Sequence, residues 1–210
     1  MCGVPYHSVE SYLTRLLRNG FRIAICDQME DPKLTKKIVR REVTRVLSPG
    51  TALDPGLGQE KNNFLAAYFE SKPKDKRDGG LVCAIALLDV STGDFRTAEF
   101  HGAPARQQAS DEILMSGASE LLLAASAESP AALERIAART RVDDWVWTRD
   151  FAVPLVERQL KVKSLEGFGL VGHEAAAIAA VSYTHLDVYK RQRDRSVTNP
   201  QTSKSGAQIR

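Results

Sequence analysis

The first apolar pattern in the chain has the spacing of an amphipathic helix. Five apolar residues fall at i, i+3, i+4, i+7 and i+8 and share one helical face: Val9, Tyr12, Leu13, Leu16 and Leu17. Ser8 is a residue type that begins helices, and Gly20, after an asparagine, is a type that ends them. The pattern predicts a helix between residues 8 and 20.

Two strands and a linker are predicted after this helix. In residues 21–26 (FRIAIC), large apolar residues alternate with smaller or polar neighbours, as in a half-buried strand. Residues 41–51 (REVTRVLSPGT) predict a second strand closed by a Pro-Gly turn. Residues 52–61 contain two Gly and one Pro with few large apolar residues, which indicates a linker.

The segment after the linker combines hairpins with alternating helices and strands. Apolar runs predict five strands, at residues 62–69, 80–90, 95–100, 120–124 and 143–148. A charged stretch separates the first two strands, and the turn STGD at residues 91–94 joins the second to the third. Helical patterns occupy residues 104–117, 129–140 and 150–162, and HEAAAIAA at 173–180 opens a further helix. This order predicts an α/β fold in which a mixed sheet carries helices on its faces.

Composition and charge are those of an ordinary globular protein. Of the 210 residues, 43% are hydrophobic and 26% are charged, and no apolar run approaches the roughly 20 residues that span a bilayer. Cys2, Cys26 and Cys83 are widely spaced, which indicates reduced structural thiols. The net charge of +3 divides into +3 for residues 1–61, −4 for 62–180 and +4 for 181–210. Only local basic clustering is therefore informative about partners.

Two N-terminal features are candidates for nucleic-acid contact. A basic run on one segment could neutralise several phosphates, although a solvated protein face explains most runs of this kind. The run consists of Lys33, Lys36, Lys37, Arg40, Arg41 and Arg45. In the loop MCGVPYH, Met1, Val4 and Tyr6 could lie against a nucleic-acid groove, or the loop could simply be a packed turn before the helix.

Motifs for catalysis and metal binding are weak. No GxxxxGK[ST] phosphate loop occurs, and His7, His101 and His173 lack partners at metal-ligand spacing, so no cofactor or metal site is predicted. Asp89 follows an apolar strand and, with Asp94 and either Asp111 or Glu112, could gather two Mg²⁺ ions as in ribonuclease-H-like nucleases. The stronger interpretation is that Asp89 bonds the backbone amides of the STGD turn. No catalytic residue is therefore assigned.

The motifs together resemble one family. GVPYH, AICDQMEDP and RVLSPGT, in this order, resemble the second half of the mismatch-recognition domain of the bacterial DNA mismatch repair family MutS. NNFLAA, LLDVSTGDF, ELLL and HEAAAIAA resemble the MutS connector domain. The resemblance implies a truncated domain I at residues 1–51, a linker at 52–61 and a ribonuclease-H-like connector without nuclease function at 62–180.

The resemblance also implies a function and a set of DNA contacts. MutS proteins are clamp-like dimers that bind mismatched double-stranded DNA, couple this binding to a distant ATPase through the connector, and engage MutL. Carried over by position, the DNA-contacting residues are Met1, Val4, Pro5, Tyr6, His7, Lys36, Lys37, Arg40 and Arg45. The family's Phe-x-Glu wedge precedes the GVPYH loop, and its ATPase follows the connector. We therefore expect a cytoplasmic, nucleoid-associated MutS fragment that is not itself an enzyme, in which ATP and Mg²⁺ serve only the full-length family.

Residues 181–210 differ from the rest of the chain. Codons permitted for Val181 to Arg191 include a transposon-end sequence of the kind used in sequencing adapters, joined to its own reverse complement. The residues that follow are polar, with almost no apolar side chains. We expect a disordered, non-native tail that begins near residue 181.

Overall fold

The computed structural model describes residues 3–30, 39–52, 62–71 and 80–180. Most of the predicted linker, the charged stretch at 72–79 and the predicted tail at 181–210 lie outside the described residues. So do Met1, Lys33, Lys36, Lys37 and the side chain of Tyr6. Within the described part of the chain, no helix combines the length and apolarity needed to cross a membrane.

A helix packed on a two-stranded sheet forms the first unit. Helix α1 (Val9–Arg18) is followed by strands β1 (Ile23–Gln28) and β2 (Arg41–Leu47), which pair antiparallel. Ser8 precedes the helix as predicted, but its hydroxyl donates to the Pro5 carbonyl at 3.0 Å and does not cap a helical N–H. Gly20 ends the helical turn at φ +81°, a conformation that glycine adopts without steric cost.

The apolar face of α1 is only half covered. Leu13 and Leu17 pack with Leu47 of β2, as the helical pattern predicts. Tyr12 and Leu16, predicted on the same face, remain 50% and 41% exposed. A sheet of two strands is narrow, so it covers one side of the apolar stripe and leaves the other side open.

The second unit is a five-stranded mixed sheet, which confirms the predicted α/β class. Its strands are β3 (Phe64–Ser71), β4 (Val82–Asp89), β5 (Phe95–His101), β6 (Glu120–Ala124) and β7 (Ala138–Val142). Their spatial order is β5-β4-β3-β6-β7. The first three strands pair antiparallel, whereas β6 is parallel to both β3 and β7. Three antiparallel strands in sequence, followed by the two parallel strands β6 and β7, fit the ribonuclease-H-like architecture that the resemblance implies.

Helices cover both faces of this sheet. Helix α2 (Ala105–Ser116) packs on one face through Ala109 and Ile113, against alternate residues of β3 and β4 such as Tyr68 and Ile85. Helix α3 (Arg149–Leu160) and helix α4 (residues 174–180) cover the other face, where Leu65 and Leu122 lie. Central strands that are buried on both faces need apolar residues at successive positions. This requirement explains the continuous apolar runs in the sequence.

The structure corrects two predicted elements between residues 129 and 148. The predicted helix at 129–140 is a short 3-10 turn (Ala131–Arg135) followed by strand β7. The predicted strand at 143–148 is instead a 3-10 turn (Asp144–Trp147). Residues of β7 alternate between buried and exposed, which is the pattern of an edge strand.

Helix α3 is confirmed at Arg149–Leu160, but its proline lies further along than predicted. Pro154 is the sixth residue of the helix, just past the first turn where proline fits best. The pattern of residues 150–162 still sets the helix, because Ala152 and Val156 are buried on one of its faces.

Both cysteines within the described residues are free thiols, as the sequence indicates. Burial raises the pKa of the Cys83 thiol, although a hydrogen bond to the Tyr68 hydroxyl opposes that shift. A buried protonated thiol is unreactive, which fits a structural role.

Candidate nucleic-acid interface

Strand β2 presents the described part of the basic run to solvent. Arg45 is exposed and stands opposite Ile25 of β1, next to a bulge at which the pairing register shifts. At the bulge, the Thr44 hydroxyl donates to Asp27 at 2.6 Å, which fixes the strand beside Arg45. No acidic side chain in the described ranges pairs with Arg45, so its charge is available to an external anion.

Arg40 differs from Arg45 because it already has an acidic partner. Its guanidinium forms an ion pair with Glu42, and its side chain is 70% exposed. Its backbone N–H donates to Glu30 at 3.3 Å, which ties the start of β2 to the end of β1. Exposed ion pairs contribute little free energy, so this one leaves Arg40 able to exchange Glu42 for a phosphate.

The loop before α1 is exposed along its described residues. Val4, Pro5 and His7 all lie at the surface, and Val4 is 38% exposed. The Pro5 carbonyl accepts hydrogen bonds from both the N–H and the hydroxyl of Ser8, which sets the loop at the start of the helix. Within the described part, no hydrogen bond joins this loop to Arg40 or Arg45. The loop and the strand share a unit because α1 packs on β1 and β2.

Asp89 is a structural carboxylate. It is fully buried, and one of its oxygens accepts hydrogen bonds from the Ser91 N–H at 2.8 Å and the Ser91 hydroxyl at 2.6 Å. The other oxygen accepts the Asn63 N–H at 3.3 Å. Burial works to raise the pKa of Asp89, but the hydrogen bonds from Ser91, Thr92 and Asn63 outweigh it and lower that pKa. A carboxylate so enclosed cannot reach a substrate, and the nuclease alternative is not favoured.

The three other carboxylates of the nuclease alternative are engaged or solvated at the surface. Asp94 pairs with Arg96 at 2.5 Å, and Asp111 accepts a hydrogen bond from Gln107 at 2.8 Å. Glu112 is exposed on α2. The turn interpretation of residues 89–94 is therefore the one that the structure supports.

A buried glutamate joins the two units, and sequence patterns did not indicate it. Glu120 is 1% exposed at the start of β6, where one oxygen accepts the Thr140 hydroxyl at 2.7 Å. Its other oxygen accepts the Gly50 N–H at 3.1 Å. Asn63 adds a second link, because its side-chain amide donates to the Pro49 carbonyl at 2.8 Å. These contacts seat the Pro-Gly turn after β2 at the end of the second sheet where strands β3 and β6 begin.

Gly50 has no room for a side chain at this junction. A Cβ at residue 50 would lie 2.9 Å from both Glu120 Cβ and Leu65 Cδ1. We expect Gly50→Ala to lower the free energy of unfolding by about 1–3 kcal/mol, because buried atoms must shift. Gly167→Ala is the matched control, since a Cβ there meets nothing within 4 Å. Urea denaturation measures both, and equal losses for the two variants would contradict the close packing at Gly50.

One group of described side chains has the chemistry of a metal site. The ligand atoms of Glu99, His101 and His173 all lie within 4.8 Å of one another. His101 and His173 are 72 positions apart in the sequence, so no spacing motif reveals them. Glu99 and His101, two positions apart on β5, were the only local signal.

Models of known protein families match both units of the chain. The family model described as MutS domain I matches residues 1–55, and the one described as MutS domain II matches residues 63–191. The chain therefore belongs to the MutS family. The domain II match extends past Ala180, and the predicted tail boundary at residue 181 stays a prediction.

Curated relatives named DNA mismatch repair protein MutS align over most of the chain. The protein of Solibacter usitatus is 43% identical over 190 residues, covering 88% of this chain and 20% of the relative. That of Syntrophomonas wolfei is 44% identical over 187 residues, covering 86% of this chain and 21% of the relative. That of Chlorobium phaeovibrioides is 38% identical over 207 residues, covering 94% of this chain and 22% of the relative. The chain thus spans about a fifth of the length of these relatives.

Proposed function

We propose that this chain binds double-stranded DNA through its first unit, as part of a MutS protein that recognises mismatches. The observation that carries the proposal is Arg45 on the basic strand β2, which is exposed and forms no ion pair with an acidic side chain in the described ranges. Arg40 and the loop residues Val4, Pro5 and His7 are proposed as further contacts. Met1, Tyr6, Lys36 and Lys37 stay contacts predicted from the family resemblance alone. Cationic side chains along a backbone supply affinity that is independent of sequence and sensitive to salt.

The second unit acts in this proposal as a connector. The Gly50–Glu120 hydrogen bond provides a short path from the DNA-binding strand into the five-stranded sheet, because Gly50 lies three residues after the end of β2. Displacement of β2 on DNA would therefore reach β6 directly. Coupling to an ATPase, engagement of MutL and assembly into a homodimer are proposed for the whole protein on the basis of its family.

This chain would work as a binding and coupling module and not as an enzyme. The proposed roles of its described residues require no cofactor, whereas ATP and Mg²⁺ are proposed for the full-length protein. The site of action would be bacterial nucleoid DNA in the cytoplasm. The buried, fully hydrogen-bonded Asp89 is the main support for a role without catalysis.

We expect weak DNA binding with little preference for mismatches. The 210 residues contain no Phe-x-Glu sequence, so the wedge that the family resemblance associates with mismatch reading is not present in them. Fluorescence anisotropy at about 0.1 M salt should give a Kd of about 1–100 µM, the range of non-specific binding. Affinities for mismatched and matched duplexes should agree within about threefold. A strong mismatch preference would contradict the proposal.

Arg45→Ala tests the interface itself. We expect about 3–10-fold weaker binding and a slope of log K against log salt that falls by about one, because one phosphate contact is lost. Arg139→Ala is the matched control, since Arg139 is an exposed arginine on β7 in the other unit. Equal effects of the two variants would show that binding reflects net charge and not a face built on β2.

A further inference from the structure

Three potential metal ligands converge from two distant segments of the chain. Glu99 and His101 lie on the last strand of the hairpin meander, and His173 lies immediately before α4. The His101 Nε2 atom is 3.0 Å from Glu99 Oε1, and the His173 Nδ1 atom is 3.5 Å from the same oxygen. One nitrogen from each imidazole therefore lies within 3.5 Å of a single carboxylate oxygen.

The carboxylate at the centre of this cluster is held in place. The Glu99 side chain is only 6% exposed, and its other oxygen, Oε2, accepts the Ala176 N–H at 3.0 Å. Metal-binding side chains are commonly oriented by such a second hydrogen bond. The two histidines are 56% and 52% exposed, so an ion can enter from solvent and their rings can adjust around it.

We propose that Glu99, His101 and His173 bind a divalent transition-metal ion, with Zn²⁺ as the preferred ion. Tetrahedral Zn²⁺ with bonds of about 2.0–2.1 Å places its ligand atoms about 3.3 Å apart. The separations of 3.0 and 3.5 Å bracket that distance. Two imidazoles and one carboxylate suit Zn²⁺ better than Mg²⁺ or Ca²⁺, which prefer oxygen ligands alone.

The site would clamp α4 to the edge of the second sheet. In the described structure, Glu99 holds α4 through the hydrogen bond that its carboxylate accepts from the Ala176 N–H. A metal ion would add bonds to His101 on β5 and to His173 just before α4. Three protein ligands leave the fourth position to water. The metal proposal does not rest on the proposed DNA binding, because its residues belong to the second unit and the proposed DNA contacts belong to the first.

Titration of the 210-residue chain with ZnCl₂ under reducing conditions tests the site by calorimetry. We expect one ion bound with a Kd of about 10 µM or tighter, and a loss of at least about 30-fold in affinity for both His101→Ala and His173→Ala. His185→Ala serves as the matched control and should retain wild-type affinity. Cobalt(II) should give tetrahedral visible absorption without thiolate charge transfer, since no cysteine belongs to the site.

Several outcomes distinguish this site from adventitious binding. A wild-type Kd weaker than about 1 mM, or a histidine variant that keeps full affinity, would overturn the proposal. Thiolate charge transfer in the cobalt spectrum would overturn it too, because it would place the ion on a cysteine. Glu99→Gln keeps an acceptor for the Ala176 N–H, so circular dichroism should show a folded protein. Unchanged metal affinity in this folded variant would remove Glu99 from the site.

Discussion

Asp89→Ala should lower the free energy of unfolding by about 2–4 kcal/mol at neutral pH, because it removes the acceptor of several hydrogen bonds in a buried location. The donors left behind are the Ser91 N–H, the Ser91 hydroxyl and the Asn63 N–H, which together hold the β4–β5 turn against the start of β3. Urea denaturation followed by circular dichroism gives the difference from wild type.

Asp94→Ala is the control on the same turn. Its carboxylate is 31% exposed and pairs with Arg96 at the surface, so its loss should cost less than about 1 kcal/mol. Equal costs for the two aspartates would contradict the structural role of Asp89. The wild-type chain and both variants should fail to cleave RNA or DNA with Mg²⁺ or Mn²⁺. Metal-dependent cleavage that Asp89→Ala abolishes would restore the nuclease alternative.

The stability contributed by Asp89 should also depend on pH in one direction. In the folded protein the pKa of Asp89 lies below its ordinary value of 3.8, since hydrogen bonds to the charged carboxylate outweigh burial. The stabilising contribution is therefore present above that ordinary value and is lost as pH falls through the folded pKa. Asp89→Asn should make the free energy of unfolding less dependent on pH on the acid side, and urea denaturation at several values between about pH 2 and 6 measures this dependence. A pH dependence in Asp89→Asn equal to that of wild type would contradict the lowered pKa of Asp89.

The second sheet could be predicted because its central strands are buried on both faces. Leu65 and Leu122 face one helical layer and Tyr68 and Ile85 face the other, which requires apolar residues at every position. Such runs are visible without knowledge of their partners. The STGD turn was equally local, since Asp89 and Gly93 close it through the Gly93 N–H to the Asp89 carbonyl at 2.8 Å.

The segment from 129 to 148 was not predictable for a tertiary reason. Its helix-forming residues around Leu133 and Ile136 form one 3-10 turn and share a core cluster with residues of α2. The following residues ARTRV mix the strand formers Thr140 and Val142 with an alanine and two arginines. Within the described residues, their strand partners come only from β6, by parallel pairing. The aromatic residues Trp145 and Trp147 suggested a strand, but they lie on a turn and pack around helix α3.

The candidate sites divide in the same way. Arg45 could be predicted as a DNA contact because a cluster of charge is a local feature of sequence, and that role stays a prediction. Glu120 and His173 were not assigned a role, because their partners lie at least 20 positions away in the chain. His101 was not assigned one either, because only Glu99 is local to it and His173 lies 72 positions away. A glutamate at the start of an apolar run, as in ELLLA, is the sequence feature that points to Glu120. If such a carboxylate is buried, it needs hydrogen-bond donors around it.

Glu120→Ala should destabilise the protein by about 2–4 kcal/mol, because the Thr140 hydroxyl and the Gly50 N–H would lose their acceptor while a cavity opens at the junction. Glu120→Gln retains an oxygen for Gly50, and its amide can donate to the Thr140 hydroxyl, so its cost should stay below about 1.5 kcal/mol. Glu134→Ala is the surface control, with an expected change within about 0.5 kcal/mol. Urea denaturation of the four proteins measures this ordering.

The same variants show whether the junction also positions the first unit. If Glu120 seats the turn at Gly50 on the second sheet, hydrogen exchange of the β1–β2 amides should accelerate in Glu120→Ala and remain near wild type in Glu120→Gln. Strand β2 lies only three residues before Gly50, so loss of the 3.1 Å hydrogen bond acts directly on it. Faster exchange confined to β6 and β7 would mean that Glu120 stabilises only its own sheet. In that case the proposed route from the DNA-binding strand into the connector would have to lie elsewhere.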